Sequence, residues 1–173
     1  SDSAFQAYFT ANSIAGIGAL DSAACRKIVT YCLVYNAFKE ERLPDYQSAT
    51  GWLENNAFRR RTANYTGVYD GRNTTGTAIK VIESNRNNNG TTFYIDADNN
   101  NKYLPYFMSP YFTAKGLTGA DYSYFYPAST YTGFNVGEAA VTEKDIPAEN
   151  GVIHVVNKVI TALPSIDQYI GSN

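Results

Sequence analysis

The sequence predicts an α+β fold, with helices at the amino end and strands filling the rest, and three observations carry that prediction. Asp21-Ser22 is a capping pair ahead of a stretch in which Ala24, Ile28 and Tyr31 fall on one helical face. Thr77 to Glu83 and Thr91 to Asp96 are two β-rich runs separated by the polar string Ser84 to Gly90, which reads as a hairpin with a surface loop. Near the carboxyl end, Asn150-Gly151 is a turn pair tolerant of positive φ. The apolar, β-branched run that follows it through Val159 has the composition of a strand buried on both faces.

In chain order, Ala4 to Phe9 reads as a short helix with Asp2 or Ser3 as its cap, and the Asp21-capped helix follows. From Tyr31 to Tyr35 the apolar period shifts toward two, so a strand is expected there. Lys39 to Asn56 holds charges, Pro44 and the single Trp52 without clean periodicity, and reads as loop with one helical turn. Phe58 to Tyr69 alternates bulky and polar residues, as an exposed strand pair does. Tyr103 to Phe134 is dense in aromatics but broken by Pro105, Pro110 and Pro127, and is expected to be loop with helical turns. Asn135 to Val141 and Gly151 to Val159 are the expected final strands, and Leu163-Pro164 closes the fold. No internal repeat or linker interrupts the chain, so residues 1–173 are expected to form one domain, with 97–140 an aromatic-rich insertion within it.

A chain of 173 residues buries roughly 70% of the surface its unfolded form exposes, enough for a core of its own. The formal net charge is -2 and the pI near 5.4. The one basic cluster, Arg59-Arg60-Arg61, is too short for a nucleic-acid footprint, so no nucleic-acid partner is expected. No apolar run reaches the roughly 18 residues a membrane span needs, and there is no basic-apolar-small signal segment. Cys25 and Cys32 are seven residues apart, about 10.5 Å along a helix axis. That exceeds the roughly 7 Å a disulfide tolerates between Cα atoms, so they read as two small buried thiols.

Catalytic and metal chemistry find little footing. His154 is the sole histidine and sits within an apolar run, where a hydrogen-bonded structural role is the expectation. One His with two distant Cys lacks zinc-ligand spacing. Asp96 to Asn101 imitates a calcium loop, but Asn101 stands where Gly is needed and Phe107 where Glu is needed. Phosphate-loop, nucleophile-elbow and dinucleotide motifs are missing. A hydrolase would need Asp145, Glu149 and His154 to converge. Sequons at Asn64, Asn73 and Asn89 are what an Asn-rich chain yields by chance. No cofactor and no enzymatic activity are expected.

The aromatic segment has two readings. Its rings form a second small core under a long loop, or they form a surface on which sugars or proteins dock. The candidate contact residues are Tyr103, Tyr106, Tyr122, Tyr124 and Tyr126, with Tyr31 and Cys32 on the earlier expected strand. The spacing of Tyr122, Tyr124 and Tyr126 against Phe125 places some rings inward and some outward.

Three stretches also resemble a known family. Asp145-Ile146, a short spacer and Asn150-Gly151-Val152-Ile153-His154-Val155 closely resemble the carboxy-terminal motif of fasciclin domains. Ser1 to Phe9 resembles the family's Pro-Thr-Asp-x-Ala-Phe box without its leading residue. Cys25 to Val34 is similar to the family's helix and strand with a Tyr-His pair, except that Cys32 replaces the His, which weighs against the receptor contact tied to that pair. Lys102 to Phe107 and Asp121 to Pro127 resemble the longer, aromatic-rich fasciclin domains of Bacteroidetes envelope proteins.

The resemblance implies a wedge of two small, steeply packed β-sheets with amino-terminal helices, in which Asn150, Gly151 and His154 are structural motif positions. It implies a non-enzymatic extracellular adhesion or protein-interaction module, held at a bacterial outer membrane through a segment outside this chain. Its partner would be another protein or a cell-surface component. The alternative it implies is a carbohydrate-binding accessory domain of a glycan-uptake system. The chain starts inside the family's amino-terminal box, so the usual first helix and strand are expected to be missing. Self-association through the open sheet edge this leaves is expected in turn.

Overall fold

The computed structural model describes residues 1–65, 69–72, 78–81, 101–164 and 169. Helices α1 (Asp2–Ala11) and α2 (Ser22–Cys32) come first. The hairpin strands β1 (Tyr46–Ser48) and β2 (Gly51–Leu53) follow, then β3 (Arg59–Tyr65), β4 (Tyr69–Arg72) and β5 (Ala78–Val81). Strand β6 (Asn101–Met108) leads into the short helices α3 (Ser109–Lys115) and α4 (Gly119–Phe125). Strands β7 (Phe134–Val136), β8 (Ala139–Ala148) and β9 (Gly151–Val156) complete the order. The central sheet is antiparallel in the order β3-β6-β7-β8-β9, and β1-β2 and β4-β5 form separate two-stranded ribbons. The fold is mixed α+β, consistent with the wedge the sequence implied.

Strand β6 organises the molecule because its two faces bury different things. Leu104, Tyr106 and Met108 point into the main core, where they meet Phe134, Val136, Tyr31 of α2, Leu43 and Ala162. The opposite face carries Tyr103, Pro105 and Phe107. Pro105 is tolerated inside the sheet because its missing N–H lies on the side of its own carbonyl. That side lies at the end of the β6–β7 ladder, where the Pro105 carbonyl accepts from Gly137 N; the proline forgoes only the reciprocal bond, and the Gly137 carbonyl takes the Tyr122 hydroxyl instead. Gly137, at φ +56, turns the chain between β7 and β8 where a side chain would be strained.

Several expectations are corrected. Tyr31 to Tyr35 is not a strand: α2 runs through Cys32, its Asp21 Oδ1 accepting from Ala24 N at 2.7 Å, and only Val34 bridges β3, at Thr62. Neither Asp2 nor Ser3 caps α1; Ser1 holds the cap position without a side-chain bond. The 39–56 stretch contains, besides the turn at Glu40–Arg42, the hairpin β1-β2, whose strands are too short to show periodicity. Strand β3 pairs with the distant β6, and β5 pairs with β4. The other expected hairpin arm, Thr91 to Asp96, and the string before Asn101 lie outside the described residues.

Tyr103 to Met108 is strand, not loop, because the proline sits at the end of the β6–β7 ladder, where the Tyr122 hydroxyl replaces its missing donor. Asn135 to Val141 is interrupted by the Gly137 turn. Strand β9 is the sheet's edge and only half-buried, with Ile153 50% exposed, so its β-branched composition did not signal burial on both faces. The two-residue turn before it is Glu149-Asn150, and neither Asn150 nor Gly151 uses positive φ. Cys32 is exposed and Cys25 half-buried; both are free thiols. Asn64 is buried, and its amide donates to Lys27 O and Thr30 Oγ1, which closes that sequon to modification.

Candidate functional site

The aromatic segment divides into a buried group and an exposed one. On the outer face of β6, Phe107 packs edge-on against Phe112, Tyr122 and Tyr126, while Phe112 stacks on Tyr131 at 4.9 Å and 14°. Tyr122 is fully buried. Its hydroxyl donates to Gly137 O and accepts from the amide of Asn135, itself fully buried, whose Oδ1 takes Thr132 N. Helix α4 is aimed by a capping box: Thr118 Oγ1 accepts from Ala120 N, and Asp121 Oδ2 accepts from Thr118 N at 2.7 Å. Those bonds from Thr118 hold the Asp121 carboxyl below the usual carboxylate range. The second small core weighed from sequence is therefore present under α3 and α4.

One helical step from Tyr122 the same helix faces water. Tyr124 is 83% exposed and Phe125 67%, and the two rings stand perpendicular at 5.4 Å. Tyr126 is half-buried, its ring against Phe107 and Tyr122 of the small core. Tyr31 and Tyr106 are withdrawn from the candidate surface by burial. Their hydroxyls donate to Tyr103 O and Leu43 O, and burial pushes both phenols up to about 12. Of the predicted contact residues the structure leaves Cys32, Tyr103 and Tyr124 exposed and Tyr126 half-exposed. It does not bring them onto one coplanar platform, the arrangement that sugar stacking across these tyrosines requires.

Tyr103 sits in a chain of cations and rings that the sequence reading missed. Arg59 lies 4.9 Å from the Tyr103 ring and 5.6 Å from Phe58; Arg61, paired across the strands with Tyr103, lies 4.7 Å from Tyr35. Phe58 tilts on Tyr111 at 5.8 Å, and Lys115 Nζ lies 5.8 Å from that ring. Arg60, of opposite strand parity, turns inward over Phe38 at 4.0 Å and donates to the carbonyls of Arg42, Leu43 and Asp45. The signal was available: in a strand, alternate members of Arg59-Arg60-Arg61 share a face.

Elsewhere, a cleft of about 400 Å³ is lined by Asn36, Ala37, Phe38, Arg42, Gln47 and Trp52. Trp52 stands edge-on to Phe38, with Arg42 over its ring. His154 is a clamp between strands and loop. Its Nδ1 accepts from Asp145 N, which requires the proton on Nε2, and Nε2 donates to Phe38 O at 3.0 Å. The Asp145 carboxylate points away, accepting from Glu40 N, and Glu149 sits exposed in the β8–β9 turn. Asp145, at φ +58, marks the bulge in β8 that makes this approach possible. Among the described residues no group of His, Cys, Asp and Glu is placed to hold a metal ion.

These elements, from the middle of α3 through β9, coincide with the stretch that comparison with protein families recognises. Residues 112–162 match the family model of the fasciclin domain. The match is consistent with a fasciclin-domain family and takes in the Asn150 to His154 motif, α4 and the Gly137 turn. Fasciclin domains are in general cell-adhesion or protein-interaction modules, typically non-enzymatic and usually extracellular or surface-associated. No curated protein and no solved structure matches the chain. Among the described residues no helix is long and apolar enough to cross a membrane.

Proposed function

We propose that this chain is a non-enzymatic, extracellular protein-contact module of a cell envelope, with the Tyr124-Phe125 pair as its principal contact. The observation that supports this most is the division within α4. Tyr122 anchors the helix completely, so the adjacent Tyr124 and Phe125 are presented on a fixed support while remaining 83% and 67% exposed. Large rings held rigidly in water are what interface centres are made of, since little conformational entropy is lost when a partner covers them. His154 and Asp145 act as structural clamps in this reading.

The test uses beads coated with the domain and scored for attachment to envelope fragments. Replacing Tyr124 and Phe125 with Ser should remove most attachment while leaving the melting temperature within a few degrees. Unchanged attachment would overturn the assignment of this surface. The carbohydrate alternative draws its support from the Trp52 cleft, where a half-exposed indole shares the lining with Asn36 and Gln47. Trp52→Ala abolishing a glycan-array signal would favour it.

A further inference from the structure

We infer that the open end of the outer sheet face, the strip Tyr35, Arg61, Tyr103, Arg59, Phe58, Tyr111 and Lys115, is a second docking surface and takes a carboxylate-rich polypeptide segment. Charge complementarity commits the surface to an anion. Ion pairs among the described residues join Arg42 to Asp45, Lys144 to Glu40 and Lys158 to Glu138, and none involves Arg59, Arg61 or Lys115. Lys115 meets only a neutral acceptor, Asn56 Oδ1 at 2.7 Å. Among the described residues three cations thus stand without an ion-pair partner along one strip of a chain whose net charge is -2.

The form of the strip narrows the anion. Both guanidinium groups lie over aromatic rings, Arg59 on Tyr103 and Arg61 on Tyr35, and among the described residues neither side chain donates a hydrogen bond, so their N–H groups remain for a ligand. Planar donors of this kind fit carboxylates in a two-point fork. The same stacking occupies ring faces that a nucleobase would need, which disfavours single-stranded nucleic acid. Tyr103 and Phe58, 42% and 43% exposed, add apolar area between the charges. Arg with Tyr and Phe around a half-buried centre is the composition of protein interfaces. The choice of a polypeptide rests on the protein-contact reading above; the choice of a carboxylate does not.

The experiment titrates the domain with a fluorescent glutamate-rich peptide at low and moderate salt, with heparin and a single-stranded oligonucleotide as parallel probes. The expected result is salt-sensitive peptide binding that falls about tenfold or more in R59Q/R61Q and comparably in R59K/R61K, since ammonium groups cannot make the fork. Circular dichroism should show both variants folded, and a Y103L variant should bind more weakly because Arg59 loses its support. Absent peptide binding would overturn the inference, as would full retention in the lysine variant or tighter binding of heparin or oligonucleotide. Attachment to envelope fragments that depends on Tyr124 and Phe125 would stand or fall separately, so failure of the strip is distinguishable from failure of the contact module.

Discussion

The two ends of the outer face of β6 hold the same kinds of residue and do opposite things. At Phe107 the face is roofed by α3 and α4, and the rings of Phe112, Tyr122, Tyr126 and Tyr131 close over it, down to a fully buried Tyr122 and Asn135. At Tyr103, four residues earlier, no helix among the described residues roofs the face, and the ring is met by the Arg59 guanidinium from β3. An aromatic side chain therefore becomes core where the chain folds back within a short loop, and interface where its neighbours are cations that still face water. The difference lies in what crosses each ring.

The comparison is broken most severely at Tyr122. Changing it to Ala should cost about 3–5 kcal/mol by removing a buried aromatic, seen as an early transition in urea. The equivalent change at Tyr103 should stay within roughly 1 kcal/mol. A milder version keeps the ring: Tyr122→Phe removes the acceptor of one Asn135 amide N–H, whose other N–H keeps Thr130 O, and the donor to the Gly137 carbonyl, and should cost about 1–3 kcal/mol. His154→Ala, which strips the bonds to Asp145 N and Phe38 O, belongs in the same range. Equal losses at Tyr103 and Tyr122 would erase the distinction between roofed and open ends.

Alkaline titration sharpens it. Burial raises Tyr31 and Tyr106 to about 12, so both are neutral in folded and unfolded chains below pH 10 and ionise first in the unfolded chain above it. Stability is expected to be intact up to pH 10 and to fall between 10 and 12, with these phenols appearing in the ultraviolet only as the fold is lost. At the acid end the sign reverses for Asp121, whose carboxyl is lowered by its bonds to Thr118. Its contribution to α4 is present above the ordinary Asp value of 3.8 and is lost as pH falls through the lower folded value. Chemical shifts of Tyr124 should follow that loss, and Asp121→Asn should flatten the response.

The sequence made some of this legible. The Asp21 cap and the Ala24, Ile28, Tyr31 face were readable because capping and helical period are local. The Asn150 to His154 wording pointed to the same family that residues 112–162 match. What was not legible depended on distant partners. Pro105 argued against a strand, and only the distant Tyr122 hydroxyl, which fills the Gly137 carbonyl in place of the missing donor, makes it tolerable there. The β-branched run in β9 looked central although among the described strands only β8 flanks it. Tyr106 and Tyr124 could not be told apart by spacing alone, since Leu43 buries one and nothing covers the other. Arg59 and Arg61 were taken as part of an isolated triplet because Tyr103, the ring that orders them, lies far along the chain.

The most direct test of the contact account is attachment of bead-bound domain to envelope fragments treated either with protease or with periodate. The account predicts that protease abolishes attachment, that periodate oxidation of glycans leaves it intact, and that the Tyr124 and Phe125 serine variant matches the protease result. Attachment that survives protease and disappears with periodate would contradict it and establish the glycan reading in its place.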